Sequence, residues 1–186
     1  MGPTDQVDAL FATAKERFGS VDIAFVDPPF ALDLWTPALA ALEPEGGRLG
    51  VHAVHLGSGR SVGHRTDARF AMCSTFKWVL AGLILEARDS GRLDLTDRVP
   101  VSETDIVPWS PRTEAAAGGE MTIEALCDAA VTISDNAASN FLLRPLGGPE
   151  GFTAALRRVG DETTRLDRWE PELNSNIPGD PRDTTT

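Results

Sequence analysis

The sequence predicts an α+β fold in which helices dominate. Apolar residues recur at helical spacing through much of residues 74–159, whereas the alternation typical of a β-hairpin is found at 49–65. The chain has 186 residues, of which 41% are hydrophobic and 24% are charged. That composition is typical of a globular protein with one core, or with a core and a small annex.

The first 31 residues carry a pattern of their own. Gln6–Phe18 predicts a helix that ends at Gly19, and Val21–Val26 predicts a short strand. The stretch Val7–Ile23 weakly resembles a helix-to-strand segment of short-chain dehydrogenases. However, no G-x-G-x-x-G-like turn precedes it, the strand runs into Asp27–Pro29, and the chain has no tyrosine to act as that family's catalytic acid. We therefore interpret residues 1–31 as an appended segment.

The remaining elements follow in order along the chain. Leu32–Glu43 has helical spacing of apolar residues, and two alternating segments, Leu49–Leu56 and Val62–Arg65, flank a glycine-rich turn and predict a hairpin. Arg165–Asp183 is an acidic, proline-bearing stretch of a length typical of functional or disordered surface loops. Between hairpin and loop, helices are predicted at 74–90, Thr122–Ser134, Asn136–Leu143 and Gly148–Val159.

Charge and hydropathy exclude several classes of function. The net charge is −11, and the longest basic cluster is only Arg157–Arg158, whereas nucleic-acid binding needs clustered lysines and arginines. No stretch approaches the ~20 apolar residues of a membrane span. The N-terminus lacks the basic start and apolar core of a signal peptide. We therefore expect neither a nucleic acid nor a membrane as a partner.

The cysteines and histidines do not indicate a metal site. Cys73 and Cys127 cannot form a disulfide framework, and we expect two unpaired thiols that act as buried small hydrophobes. His52 and His55 would face opposite sides of one strand. Because no Cys/His spacing is typical of zinc binding, we expect no metal and no cofactor.

Three short motifs indicate a serine acyl-transfer site. In Ser74–Lys77 a serine lies three residues before a lysine, so one helical face carries both a nucleophile and an amine that can contact its hydroxyl. The chain contains only two lysines, and an accidental S-x-x-K pattern is expected only ~0.1 times. The motifs Ser134–Asn136 and Glu170–Asn174 follow in that order. The combination of S-x-x-K with S-D-N is typical of penicillin-interacting serine enzymes.

Each later motif also has a structural interpretation. Ser134–Asn136 alone is typical of a turn and a helix N-cap. Glu170 and Asn174 are four residues apart and can converge on one water if the segment coils locally, which would make the carboxylate a general base. Trp109, among prolines, is either a packed loop anchor or an aromatic substrate contact.

On these motifs, and on the run RLDRWEPELN at residues 165–174, the chain from about Leu32 to Thr186 resembles class A serine β-lactamases. The resemblance implies a β-lactamase/transpeptidase-like fold. Residues 32–66 would form the helix and β-hairpin of an incomplete α/β domain, and residues 67–186 the all-α domain, with its Ω-loop at 165–183. A K-T-G motif, the second oxyanion donor and three sheet strands would be missing beyond residue 186. We therefore expect a C-terminally truncated chain whose hairpin exposes an unpaired edge.

The resemblance also implies a role for each motif residue. Ser74 would be the acylated nucleophile, with its backbone N–H as one oxyanion donor. Either Lys77 or Glu170 would remove its proton, and Ser134 would relay a proton to the leaving lactam nitrogen. Glu170 would also activate the deacylating water and precede a cis bond to Pro171. The implied substrate contacts are Asn136, Trp109 and Asn174, and the implied structural residues are Asp135, Arg168 and Asp183, the last two as the pair that closes the Ω-loop.

The predicted function is hydrolysis of the β-lactam amide of penicillins and cephalosporins in the periplasm of a bacterium or after secretion. The partner would be the β-lactam antibiotic, and the truncated chain by itself is expected to be inactive. One alternative is a non-catalytic fragment that needs a complementary C-terminal β-lactamase fragment. Another is a penicillin-binding transpeptidase, which would leave the segment Glu170–Asn174 unexplained.

Overall fold

The computed structural model describes Leu39, Leu42 and residues 47–186. The predicted helix Gln6–Phe18, the strand Val21–Val26 and most of the helix Leu32–Glu43 lie outside the described residues. The described residues up to Ala68, together with Thr186, belong to one unit, and residues 69–185 form a second, compact unit.

The described part of the first unit is a β-hairpin next to a small apolar cluster. Strands β1 (Val51–His55) and β2 (Arg60–His64) pair antiparallel, and Leu39 is buried among apolar neighbours that include Val51. The second strand begins two residues before the predicted Val62, because the left-handed Gly59 (φ +68°) closes the turn and pairing starts directly after it. Among the described residues this sheet has two strands. The unpaired outer edge stays a prediction.

The second unit is a helical assembly with two small β-ladders. One ladder pairs β3 (Phe70–Ala71), at the start of the unit, with β6 (Thr184–Thr185), at its end. The other pairs β4 (Arg98–Pro100) with β5 (Glu120–Thr122), within the connection between two of the helices. The helices are α1 (Phe76–Asp89), α2 (Pro111–Ala115), α3 (Ile123–Thr132), α4 (Asn136–Leu143) and α5 (Gly148–Arg158).

Helix α1 is amphipathic and contacts α3, α4 and α5. The predicted helix at 74–90 divides into a 3₁₀ turn, Cys73–Thr75, and the α-helix that begins at Phe76. Although the helix body is almost wholly apolar, Trp78 and Leu85 are exposed. They lie on the face opposite the buried stripe, which is formed by Phe76, Leu80, Leu83, Ile84 and Ala87 at i, i+4, i+7, i+8 and i+11.

The other helices complete one apolar core around α1. Helix α3 ends at Thr132, two residues before the predicted Ser134, because Ser134 takes a left-handed backbone conformation (φ +59°) that no helix can continue through. Helix α4 spans the predicted residues, and α5 ends one residue before the predicted end. At the centre, Phe152 of α5 meets Phe76 of α1 edge to face, with ring centroids 6.0 Å apart.

The substitution Phe152→Ala tests this core contact. We expect it to lower the free energy of unfolding by about 3–5 kcal/mol, because it removes a fully buried ring and leaves a cavity. Urea unfolding followed by far-UV circular dichroism gives the value. Val159→Ala at the exposed end of α5 is the control, with an expected change within about 0.5 kcal/mol. Equal losses of unfolding free energy in the two variants would contradict the assignment of Phe152 to the core.

Candidate active site

Ser74 lies in the 3₁₀ turn that precedes α1 and is half-buried. The turn is held by Thr75, whose backbone N–H and hydroxyl both donate to Met72 O, at 2.9 and 2.6 Å. Cys73, directly before Ser74, has a left-handed backbone (φ +43°). The arrangement places the serine at the N-terminal end of α1, where the helix dipole favours developing negative charge.

Lys77 is the point at which the three sequence motifs meet. Its buried ammonium donates to Ser134 O (2.8 Å), Ser134 Oγ (3.0 Å) and Asn136 Oδ1 (2.5 Å), and Nζ lies 3.1 Å from Glu170 Oε1. In the described part of the chain no hydrogen bond joins Lys77 to the Ser74 hydroxyl, although their spacing predicted one. An ammonium has three N–H donors, and here they are directed to the other two motifs.

The surroundings of Lys77 change its acidity. Burial lowers the pKa of Lys77 below its ordinary value, and the nearby carboxylates of Glu170 and Asp135 oppose that shift only in part. A lysine with a lowered pKa gives up a proton more readily than an exposed one. Lys77 can therefore take part in proton transfer.

Glu170 is buried and is held through both its side chain and its backbone. Asn174 Nδ2 donates to Glu170 Oε2 at 2.6 Å, and the Glu170–Pro171 peptide bond is cis, as predicted. The side-chain amide of Asn140 accepts from Glu170 N (3.0 Å) and donates to Glu170 O (2.9 Å). Sequence reasoning missed Asn140. Its position, one turn after Asn136 on α4 and therefore on the same helical face, could have indicated it.

The Ω-loop is closed at its neck by a partly buried ion pair. Arg168 Nε donates to Asp183 Oδ2 at 2.5 Å, and Asp183 Oδ1 accepts from the backbone N–H groups of Asp167 (2.7 Å) and Arg168 (3.0 Å). The side chain of Asp183 is 1% exposed and that of Arg168 17%. The pair is therefore partly buried, and its carboxylate is fully so. Asp183 also links the loop to the turn that carries Ser74, because Met72 N donates to its carbonyl oxygen at 2.9 Å.

Trp109 and Asn136 are joined across the site. The backbone N–H of Asn136 donates to Trp109 O (2.9 Å), and Asn136 Nδ2 donates to Pro108 O (2.8 Å). The indole Nε1–H of Trp109 donates to Ile133 O at 3.1 Å, yet the side chain is exposed. Both interpretations of Trp109 therefore have support, because it anchors its loop and also presents a ring face to solvent.

Left-handed backbone conformations of non-glycine residues cluster around this site. Cys73, Trp109, Ser134 and Asp183 all have positive φ, between +43° and +61°. Each such residue costs of order 1–3 kcal/mol and persists only where surrounding contacts hold it. Here the strained positions immediately precede Ser74, belong to the Ser134 motif, or lie in the loops beside that motif.

The cysteines differ from expectation in their exposure. Cys73 is exposed, because it lies in the surface turn ahead of α1 and not within the helix, while Cys127 is half-buried on α3. Neither forms a disulfide. Burial, with a contribution from Glu124, raises the pKa of the Cys127 thiol to about 11.

Other kinds of site are absent from the described part of the chain. There, no cluster of three or more His, Cys, Asp or Glu side chains has a geometry that could hold a metal ion. No helix among the described residues is long and apolar enough to cross a membrane.

Comparison with known proteins gives the family. A model of the β-lactamase enzyme family matches residues 36–186. The solved structure of an ancestral (GNCA) class A β-lactamase matches with a TM-score of 0.78 and 51% sequence identity, over 84% of this chain and 59% of that chain. The chain belongs to the class A serine β-lactamase family. The predicted β-lactamase/transpeptidase-like α+β fold is confirmed.

Other class A β-lactamase relatives agree. The chain is 49% identical to β-lactamase AST-1 of Nocardia asteroides, over 96% of this chain and 58% of that protein. It is 49% identical to a β-lactamase of Rhodobacter capsulatus, over 77% of this chain and 49% of that protein. A crystal structure of a β-lactamase from Xanthomonas campestris pv. campestris has a TM-score of 0.76 and 37% identity. The chain thus spans about half the length of the curated relatives it matches.

The contact of the Ω-loop with α5 gives a prediction for Gly148→Ala. A Cβ atom at Gly148 would lie 3.0 Å from the Trp169 ring, and the residue is left-handed (φ +75°). We expect faster amide exchange at residues 170–174, because Trp169 is pushed away from its anchor. Gly91→Ala is the matched control, since Gly91 is also left-handed (φ +71°) but has open space around it. Equal exchange in both variants would contradict the prediction.

The two thiols of this β-lactamase family member should react at very different rates. With a pKa of about 11, only ~0.1% of Cys127 is thiolate at pH 8, and the fraction rises only as the pH approaches 11. Titration of the native chain with Ellman's reagent at pH 8 should therefore show one fast thiol, Cys73. The fast phase should vanish in Cys73→Ser and persist in Cys127→Ser. Fast labelling of Cys73→Ser would contradict the prediction.

Proposed function

We propose that the protein is a serine β-lactamase, which hydrolyses the β-lactam amide of penicillins and cephalosporins through an acyl-enzyme on Ser74. The observation that carries the proposal is the buried Lys77 ammonium, which contacts both Ser134 and Glu170. The proposed proton relay and general base are thereby brought together at one charge, one helical turn after Ser74.

In the acylation step, Ser74 Oγ attacks the lactam carbonyl carbon, and its proton passes to the Lys77/Glu170 pair. The oxyanion that forms is stabilised by the backbone N–H of Ser74 at the start of α1. The lactam C–N bond then breaks, and the nitrogen takes the Ser134 proton. Because Ser134 Oγ lies 3.0 Å from Lys77 Nζ, the lysine can resupply that proton.

In the deacylation step, Glu170 takes a proton from a water molecule that attacks the acyl-serine carbonyl. The carboxylate is held by Asn174 at Oε2, while Oε1 accepts no aligned hydrogen bond within the described residues. Oε1 therefore retains a lone pair for this proton. This base distinguishes a hydrolase from a penicillin-binding transpeptidase, whose acyl-enzyme persists.

The proposed substrate contacts are Asn136, Trp109 and Asn174. Lys77 already uses Asn136 Oδ1, so a substrate amide would share that oxygen through its second lone pair. The exposed ring of Trp109 offers an apolar face at the entrance. Asn174 is exposed beside Glu170 and can contact both the water and the substrate.

A second candidate is that catalysis needs a complementary C-terminal β-lactamase fragment. The relatives are longer than this chain, which covers 58% of β-lactamase AST-1. Trp78 and Leu85 also leave an exposed apolar stripe on α1, the helix that follows the nucleophile.

The proposed domain organisation is the same for both candidates. Residues 1–31 are an appended segment, residues 32–66 begin the α/β domain, and residues 67–186 form the all-α domain. The proposed location is periplasmic or secreted.

Hydrolysis of a chromogenic cephalosporin tests both candidates. We expect Ser74→Ala to abolish turnover, and Glu170→Gln to lower kcat by about 10²–10⁴-fold, with an acyl-enzyme adduct visible by mass spectrometry. Ser90→Ala, at the far end of α1, is the control and should retain parental turnover. A parent that turns over only after a C-terminal fragment is added supports the second candidate. A parent without turnover or adduct in either setting would refute both.

A further inference from the structure

Two short helices beside the site exchange their N-caps. Ser110 is the N-cap residue of α2, but its side chain makes no cap hydrogen bond to its own helix. Its Oγ instead accepts from Ala137 N, in the first turn of α4, at 2.9 Å. The helix that carries the Ser134 motif is thus capped by a residue 24 positions before that serine.

The reverse cap comes from Asp135, the N-cap residue of α4. Its Oδ1 accepts from Ala138 N in its own helix at 2.9 Å, which is the ordinary cap. Its Oδ2 accepts from the N–H groups of Arg112 (2.9 Å) and Thr113 (3.1 Å), in the first turn of α2. Thr113 Oγ1 adds a further hydrogen bond to Oδ1 at 2.7 Å.

Because these residues are buried, water cannot easily take the place of the exchanged hydrogen bonds. Thr113 and Asp135 are each 0% exposed and Ser110 is 3% exposed. A lost side-chain acceptor or donor would therefore leave a backbone N–H or a carboxylate oxygen without a partner in an apolar environment. The segment at 108–113 is consequently tied to the segment at 133–138, and neither can shift alone.

One end of this tie, Asp135, lies between the two residues that accept hydrogen bonds from Lys77. Ser134 and Asn136 are the chain neighbours of Asp135, and both accept hydrogen bonds from the Lys77 ammonium. The same segment fixes Asn136 further, because Trp109 O and Pro108 O accept its backbone and side-chain N–H groups. A shift of the cap exchange would therefore move two of the groups that surround the ammonium.

We propose that Ser110 and Thr113 are positioning residues of the site, which hold Ser134 and Asn136 against Lys77 by exchanging caps between α2 and α4. The role deepens the proposed hydrolase function and rests on it for its catalytic meaning. The geometry can nevertheless be tested without turnover, because Lys77 itself reports on its surroundings.

The chain offers a direct probe, since its only lysines are Lys15 and Lys77. Labelling with ¹³C-lysine gives two side-chain resonances, and Lys15→Arg identifies the one from Lys77. Titration of that resonance measures the Lys77 pKa. The charged groups that face the ammonium are Glu170 from the Ω-loop and Asp135 from the start of α4. Neither is changed in the variants below.

The test variants are Thr113→Val and Ser110→Ala, each in the Lys15→Arg background. Both should move the Lys77 resonance and raise its pKa toward 10.5, because a displaced Ser134–Asn136 segment admits water to the ammonium. Thr113→Ser, which keeps the hydroxyl, should restore the parental titration. Thr122→Val is the matched control: Thr122 caps α3 through Ala125 N at 3.1 Å, and no side-chain hydrogen bond joins it to the Ser134 motif among the described residues. It should leave the Lys77 titration unchanged.

Three outcomes would overturn the proposal. They are a parental Lys77 titration in both test variants, an equal shift in Thr122→Val, or no rescue by Thr113→Ser. If Thr113→Val does not fold, Ser110→Ala alone decides by the same titration.

Hydrolysis is measured in parallel. If the parent is active, kcat/KM should fall at least tenfold in Thr113→Val with an altered pH profile. An inactive parent argues against the hydrolase function, while the titration still decides the positioning role.

Discussion

The site is organised around one buried positive charge, the ammonium of Lys77. An isolated charge in a protein interior is strongly unfavourable, so it needs an opposite charge and hydrogen-bond acceptors in good geometry. Glu170 supplies the charge at 3.1 Å, and Ser134 and Asn136 supply the acceptors. Together with Lys77 itself, these groups come from three separate parts of the chain. Each of those parts is therefore held in place by the same requirement, and the site forms only when the whole unit is folded.

The loops around the ammonium are held in place by contacts with helices and buried side chains. The Ω-loop is clamped by Asn140 on the backbone of Glu170, by the Arg168–Asp183 ion pair at its neck and by the Trp169 ring against Gly148. These contacts are polar, ionic and apolar in turn. They hold a stretch that has little regular structure of its own, which is the usual arrangement for functional loops on a fixed scaffold.

Strained backbone and dense hydrogen bonding coincide in this region. Ser134, with φ +59°, is followed by Asp135, whose carboxylate accepts four hydrogen bonds from the two helices that meet there. Those bonds stabilise a conformation that an isolated peptide would leave. The cap exchange between α2 and α4 thus offsets local strain and at the same time aims Ser134 at Lys77. Stability and site geometry here depend on the same contacts.

The sequence by itself determined the fold class, the family and the identity of the motif residues, because helical periodicity and short fixed spacings are local properties of the chain. The spacing of Ser74 and Lys77 predicted one helix for both, whereas Lys77 lies in the first turn of α1 and Ser74 in the 3₁₀ turn before it. Only the tertiary structure decided which partners Lys77 contacts, since an ammonium selects among acceptors from distant segments. It also decided the exposure of Cys73 and Trp78, the burial of Asp183 in its ion pair with Arg168 and the contacts of Asn140, Ser110 and Thr113. These features depend on which elements pack together, and the spacing of residues along the chain does not determine that packing.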